Sequence, residues 1–301
     1  MYRIGIDLGG TKTEIAVFQK DPSHVLFRKR LPTEQNKGYE HILEVMAILF
    51  AEAKSFCQYD FTVGVAIPGS ISPQSSKVRN ANLQALNGRT LKLDLEKKIG
   101  CPVWMANDAN CLALSEATFG AGKGYDLVIG LILGTGMGGG VVFNGKVING
   151  FTGVAAEFGH TSLDRYGKKC WCGNFGCIEL HLSGTAFEDM DEELGTKSLG
   201  TGRRKGFEIY QSFLNKETRA VLSVQKYLEF FGQALANFSA AYDPDVFVLG
   251  GGMSNVEILY QAGYENMKSK LLVPDYAPKI LKNQLGDSSG VFGAGILPIS
   301  N

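Results

Sequence analysis

The sequence has no surplus of either charge: 30 Lys and Arg offset 30 Asp and Glu over 301 residues, so the formal net charge at pH 7 is zero. A nucleic-acid backbone or an anionic membrane surface therefore meets no electrostatic footprint, and a small molecule is the expected partner. Long apolar runs are also missing. Nowhere do about 18 apolar residues follow one another, as a membrane-spanning helix requires. The opening Met1-Tyr-Arg-Ile-Gly-Ile-Asp7 alternates like a strand instead of supplying the apolar core of a signal peptide. A cytoplasmic protein with neither nucleic acid nor membrane as partner is the expectation. Six cysteines are too few for a disulfide scaffold at this length. No low-complexity tract, charge run or short-period repeat stands out.

What is present is an apolar fraction of 45%, enough to fill two cores. Val- and Ile-rich runs ending in Gly or Asp alternate with segments of helical period, the pattern of an α/β protein. Strands are expected at 3–7, 14–19, 25–29, 62–67 and 103–106. A helix is expected over 39–56, with Ile42, Leu43, Val45, Met46 and Leu49 on one stripe. Another runs from Asp108 to about Phe119, and Gly120, Gly122 and Gly124 then mark a domain junction and hinge. The second unit opens with a strand at 127–133 and continues through a glycine-rich loop into 141–143, with a hairpin turn at Asn144-Gly145. Helices over about 220–242 and 256–271 flank a buried strand at 246–249. The resulting division is a small domain of 1–119 plus about 288–301 and a larger one of 120–287. Gly5-Ile-Asp-Leu-Gly-Gly-Thr and Gly130-Leu-Ile-Leu-Gly-Thr-Gly echo each other, which suits two similar lobes.

Five motifs carry chemistry. In Asp7-Leu-Gly9-Gly10-Thr11-Lys12-Thr13, glycines let backbone amides approach a polyphosphate and the two threonines add hydroxyls. Asp7 there could hold Mg²⁺, although the same residues also suit a plain hairpin turn. Gly134-Thr135-Gly136-Met-Gly-Gly-Gly140 fits the spacing of a dinucleotide fingerprint, but Val141-Val-Phe143 reads as a strand where that fingerprint needs a helix. A hairpin presenting amides to a γ-phosphate suits it better. Asp245-Val-Phe-Val-Leu-Gly-Gly251-Gly252-Met-Ser-Asn255 is a buried strand, three glycines and then a helix. It would provide a surface for adenine or ribose, or simply close helix–strand packing. Asp108, after Asn107 at a strand-to-helix turn, would stay ionised and can accept a hydroxyl proton as general base, and it equally suits helix capping. Lastly, His160, Cys170, Cys172 and Cys177 fall within 18 residues, the composition of a closed structural Zn²⁺ site that would fix Glu157 and Glu179 on either side of it.

These motifs occur in the order seen in ROK-family sugar kinases, which the chain resembles over nearly its whole length. Glu157-Phe-Gly-His160 with Cys170-x-Cys-Gly-x-x-Gly-Cys-x-Glu179 is the most specific part. The resemblance implies a two-lobed actin-like, hexokinase-type (ribonuclease H-like) α/β fold with ATP and sugar in a central cleft, and a homodimer. It implies Asp108 as general base, with Gly69, Asn82, Asn107, Glu157, His160 and Glu179 on the sugar, and His160, Cys170, Cys172 and Cys177 on zinc. The expected reaction is ATP- and Mg²⁺-dependent phosphorylation of a hexose or N-acetylhexosamine, most simply at O6. Pro68-Gly-Ser-Ile-Ser-Pro73 and Arg79-Asn-Ala-Asn82 resemble fructokinases, and Gly130-Leu-Ile-Leu-Gly-Thr-Gly136 resembles N-acetylglucosamine kinases. Fructose or mannose is placed ahead, with N-acetylglucosamine as the alternative. The loop from His160 to Cys170 has the length seen in glucokinases and N-acetylmannosamine kinases. Family members that repress transcription carry a helix-turn-helix before the first phosphate strand, which here begins at residue 2.

Overall fold

The structure is a computed structural model and describes residues 1–300. In chain order its first elements are β1 (Tyr2–Leu8), β2 (Lys12–Phe18), β3 (Val25–Pro32), α1 (Tyr39–Lys54), β4 (Phe61–Ile67), β5 (Ser70–Ile71), β6 (Val78–Arg79), α2 (Leu91–Ile99), β7 (Trp104–Asn107) and α3 (Asp108–Phe119). There follow β8 (Leu127–Leu133), β9 (Met137–Phe143), β10 (Lys146–Val147), α4 (Glu179–Leu182), α5 (Gly184–Glu193), α6 (Gly206–Leu214), α7 (Thr218–Tyr242), β11 (Val246–Gly250), α8 (Ala262–Lys268), β12 (Lys279–Lys282) and α9 (Ser289–Ser300). They form two compact α/β units. One comprises Met1–Asp126, Gly140–Ala155 and the chain from Gln284 onward, and the other Leu127–Gly139 and Ala156–Asn283.

The first unit is built on a sheet of order β3-β2-β1-β4-β7, antiparallel through β3, β2 and β1 and parallel through β1, β4 and β7. Parallel strands are buried on both faces, and their composition shows it. Ile4, Ile6, Val63 and Val65 are buried together with Ile42, Leu43, Met46 and Leu49, members of the stripe expected on α1. Gly5 in β1 and Gly64 in β4 lie against α9, where a Cβ on either would collide with the carbonyl of Val291 or Ala294. On the far side of α9, Gly293 lies against the Cys111 carbonyl of α3 in the same way. Helix and sheet thus approach backbone to backbone, which only glycine permits.

The second sheet has the order β10-β9-β8-β11-β12, with β8, β11 and β12 parallel. Asn144 (φ 49°) and Gly145 (φ 75°) turn β9 into β10 with both central residues left-handed, the hairpin the sequence announces. The strand after the glycine loop begins at Met137, earlier than expected, because the loop glycines Gly138 to Gly140 themselves extend as strand. Two expectations need correction. The single helix expected over 256–271 is a 3-10 turn (Glu257–Tyr260), a break at Gln261 (φ −113°, ψ −89°) and the short α8. The break lets Gly263 reach the Phe231 ring while Gly232 meets the Asn266 backbone, so that α8 seats on α7. The glycines after β11 likewise lead into a 3-10 turn (Gly252–Asn255), so no helix N-terminus follows them. Among the described residues no helix is long and apolar enough to cross a membrane.

Candidate active site

In the first unit the candidate residues gather at the carboxyl ends of the parallel strands, where open α/β sheets bind ligands. Asp7, the penultimate residue of β1, lies opposite Ala66 of β4, and Asn107 ends β7 opposite Ile67. Asn107 is the N-cap of α3: its side-chain oxygen accepts from the Ala109 amide at 2.9 Å, while its Nδ2 donates to the Gly69 carbonyl at 3.2 Å. Asp108 is therefore the first helical residue, not the cap, and its Oδ1 accepts from the same Ala109 amide at 2.8 Å. Gly69 sits at φ 119°, and a Cβ there would lie 2.8 Å from Ala81 Cα and from the Arg79 carbonyl, so the position requires glycine.

Asp7 is the most perturbed group of this cluster. Burial, then the neighbouring carboxylates of Asp108 and Glu14, raise it from the ordinary 3.8 to about 7, against the opposing pull of Lys12 and Arg30. Its carboxylate lies directly over Gly290 in the first turn of α9. Such concentrated negative charge is what a divalent cation relieves. Gly10, Thr11 and Lys12 are exposed in the turn that follows, and the Gly9 amide N–H closes it by donating to the Lys12 carbonyl at 3.0 Å. Thr13 departs from its expected role. It is fully buried, and its hydroxyl pairs with that of Thr33 at 3.0 Å, which in turn donates to the Gly9 carbonyl at 2.6 Å. Thr13 thus braces the turn from beneath instead of facing a ligand.

Asn82 is exposed and follows Ala81, whose amide and carbonyl are both held at 2.9 Å by the Asn87 side chain. Asn87 is a positioning residue that the sequence reading missed; only its polarity within a turn hinted at it. Also missed were Arg28 and Arg30, which clamp the buried Glu14 and, with Ser288, tie β2 and β3 to the start of α9.

In the second unit three chain segments meet at the ends of β8 and β11. The Gly134 carbonyl accepts from the Gly184 amide at 2.6 Å, and the Thr135 carbonyl from the Thr185 hydroxyl at 2.9 Å. Gly251, at φ 79°, lies so near Leu133 that a Cβ would come within 2.6 Å of its carbonyl. Gly252 and Asn255 are exposed beside it, with Asn255 Nδ2 donating to the Gly252 carbonyl at 3.2 Å. Thr135 is exposed and Gly136 half-buried, so the turn between β8 and β9 presents its backbone as the sequence suggests.

Glu157, His160 and Glu179 form a second cluster in this unit. Ala156, just before Glu157, holds the left-handed φ of 65°, a strained conformation for a residue with a side chain. Burial raises the Glu157 carboxyl, His160 opposes that rise, and Glu179 adds to it. The Glu179 carboxylate is clamped at both oxygens: Oε2 accepts from the Met137 amide and Oε1 from the Trp171 indole, each at 3.0 Å. The expected metal set converges. One ligand atom from each of His160, Cys170, Cys172 and Cys177 falls within 4.8 Å of all the others. His160 Nδ1 is 3.7 Å from Cys170 Sγ, and the sulfurs of Cys172 and Cys177 are 3.5 Å apart. A tetrahedron with arms of about 2.3 Å has edges of about 3.8 Å, so the donor set and its spacing fit Zn²⁺. Gly176 makes the loop possible, because at φ 58° it packs against the Asp164 carbonyl where no Cβ would fit.

Comparison with known proteins bears on the family and the fold. The chain is 37% identical to the N-acetyl-D-glucosamine kinase of Pectobacterium atrosepticum over 97% of each. It superposes on the ROK hexokinase of Thermus thermophilus with a TM-score of 0.87 at 30% identity, covering 99% of this chain and 97% of that one. A ROK family glucokinase from Streptomyces griseus, solved in complex with glucose and AMPPNP, gives 0.80 at 30% identity with 99% of both chains covered. The α/β architecture is thus that of the two-lobed hexokinase-type fold. Residues 3–300 match the profile of the ROK family, and the protein belongs to that family.

Proposed function

We propose that the protein is a kinase that transfers the γ-phosphoryl group of ATP to O6 of N-acetyl-D-glucosamine. The observation that carries the reading is the 37% identity, over 97% of each chain, to an N-acetyl-D-glucosamine kinase. Fructose or mannose, placed ahead on motif grounds, yields to the alternative because that relative matches the whole chain and not one loop.

The residues divide the work by their chemistry. Asp108 is the general base, accepting the hydroxyl proton as the oxygen attacks phosphorus. Asn107 holds the Gly69 loop beside it and, with Gly69 and Asn82, faces the sugar. Glu157, His160 and Glu179 bind sugar hydroxyls. Gly9, Gly10, Thr11 and Lys12, the turn Gly134-Thr135-Gly136, and Gly251, Gly252 and Asn255 hold the nucleotide. Asp7 would hold a Mg²⁺ accompanying ATP, which would supply positive charge against the phosphate oxygens. His160, Cys170, Cys172 and Cys177 would hold a Zn²⁺ that would order the loop, and the second ring nitrogen of His160 would be left to donate to the sugar. A cytoplasmic homodimer completes the reading.

Coupled ADP release over fructose, mannose, glucose, N-acetylglucosamine and N-acetylmannosamine tests it, with kcat/KM expected to be highest for N-acetylglucosamine. A preference for fructose or mannose would refute the acceptor, and silence on all five would refute the kinase. Asp108→Asn should lower kcat by about 10² to 10⁴ with sugar affinity near normal.

A further inference from the structure

We infer that Trp171 is a positioning residue for acceptor recognition, fixing the Glu179 carboxylate through its indole N–H. The inference rests on the sugar-kinase reading above and adds to it a residue that the motifs do not assign.

Glu179 opens α4, a helix of four residues, and so short an element cannot hold a long side chain in one rotamer by itself. Its orientation comes from two donors on opposite oxygens, the Met137 amide and Trp171 Nε1. The first is backbone and fixed by β9. The second is a side chain and can be removed. Trp171 lies between Cys170 and Cys172, so the turn that gathers the metal-binding sulfurs also sets where its ring begins. The Cys170 amide donates to the Asn174 carbonyl at 2.7 Å, and the Gly173 amide to the Cys170 carbonyl at 3.0 Å. The ring stands edge-on to His160, with centroids 4.7 Å apart and planes at 85°. One side chain therefore touches two of the three groups assigned to sugar hydroxyls in this unit.

Burial does not explain the residue, since 64% of it is exposed. A tryptophan left so open adds little to a core, but it keeps a polar tip on a carboxylate and an apolar body facing outward. A sugar bonded to both Glu179 and His160 would come within van der Waals reach of that ring.

The test compares wild type, Trp171→Phe and Trp171→Ala as metal-replete protein, each with its zinc content and thermal midpoint measured. Phe keeps an aromatic ring but carries no N–H donor. The expected result for Trp171→Phe is a sugar KM raised about 10-fold, as for loss of a hydrogen bond to a charged group, with ATP KM within about twofold and zinc retained. Adding Trp171→Phe to Glu179→Gln should change sugar KM less than about twofold, because the partner charge is already gone. Sugar binding should shift the emission of the wild type but not of Trp171→Phe, in which Trp104 is the remaining tryptophan. An unchanged sugar KM in Trp171→Phe overturns the inference and leaves the kinase reading standing. Full additivity with Glu179→Gln does the same, as does an equal rise in both KM values with zinc lost, which marks a merely structural role. A wild type inert toward all five sugars overturns both.

Discussion

Replacing Asp7 by Asn should stabilise the ligand-free protein above neutral pH while abolishing its kinase activity. In the unfolded chain the carboxyl ionises near 3.8, and in the folded one near 7, owing to burial first and then Asp108 and Glu14. Between these values the folded state keeps a proton that the unfolded state releases. Stability therefore falls as pH rises through that window and levels off above about 7. A rise of about three pH units at about 1.4 kcal/mol each amounts to a penalty on the order of 4 kcal/mol. Asn cannot ionise and carries no such slope. Urea unfolding followed by circular dichroism at about pH 4.5, 6, 7.5 and 8.5 would read the difference between variant and wild type, in which the titrations of groups not coupled to Asp7 cancel. That difference should grow in favour of Asn from the acid end and reach a plateau of a few kcal/mol near neutrality. Saturating MgATP at about pH 8 should then stabilise wild type more than the variant, since the cation offsets the charge only where a charge exists. A difference independent of pH, or a variant less stable than wild type at alkaline pH, would refute the reasoning.

Glu116 offers a second test. Its buried carboxylate accepts from the Ala121, Gln284 and Leu285 amides and the Ser289 hydroxyl at 2.9–3.1 Å, holding together the chain leaving α3 and the chain entering α9. Glu116→Gln turns one oxygen into a donor facing donors and should cost about 3 kcal/mol, or roughly 6–12 °C in the midpoint of a unit this size; a shift under about 2 °C would discard the staple. Metal analysis of native protein should find about one Zn per chain. A strong chelator, or Cys172→Ser, should lower sugar turnover together with the thermal midpoint, as loss of a structural metal does, and full activity without zinc would remove the metal from the reading.

Where order in the structure comes from neighbours along the chain, it was legible in advance. The α1 stripe, the bounds of α3, the left-handed pair Asn144-Gly145 and the strand that rules out a dinucleotide fingerprint all follow from side-chain period and turn chemistry. The convergence of His160, Cys170, Cys172 and Cys177 was legible for a related reason: thiols and an imidazole within 18 residues can meet with little help from the rest of the chain. The helix α9 was harder to read, because Ser-Gly-Val-Phe-Gly-Ala-Gly-Ile-Leu lacks a polar face and several of its residues are glycine. It is covered by sheet and α3 together, so its sequence has no amphipathic signature.

The break at Gln261 was hidden because the apolar period runs on through it while the packing of Gly263 and Gly232 changes. Sequence alone determined the family, the α/β class, and which residue types stand at the ends of which strands, since these are properties of local pattern and motif order. Tertiary structure decided which way each side chain points. Pairing of β2 with β3 turns Thr13 inward to Thr33, packing of α9 on the first sheet sets Asp7 over Gly290 beside a second carboxylate, and the course of the cysteine loop brings the Trp171 indole onto Glu179. Those relations join residues whose separation in sequence carries no signal, and only the folded chain brings them within hydrogen-bonding or Coulombic range.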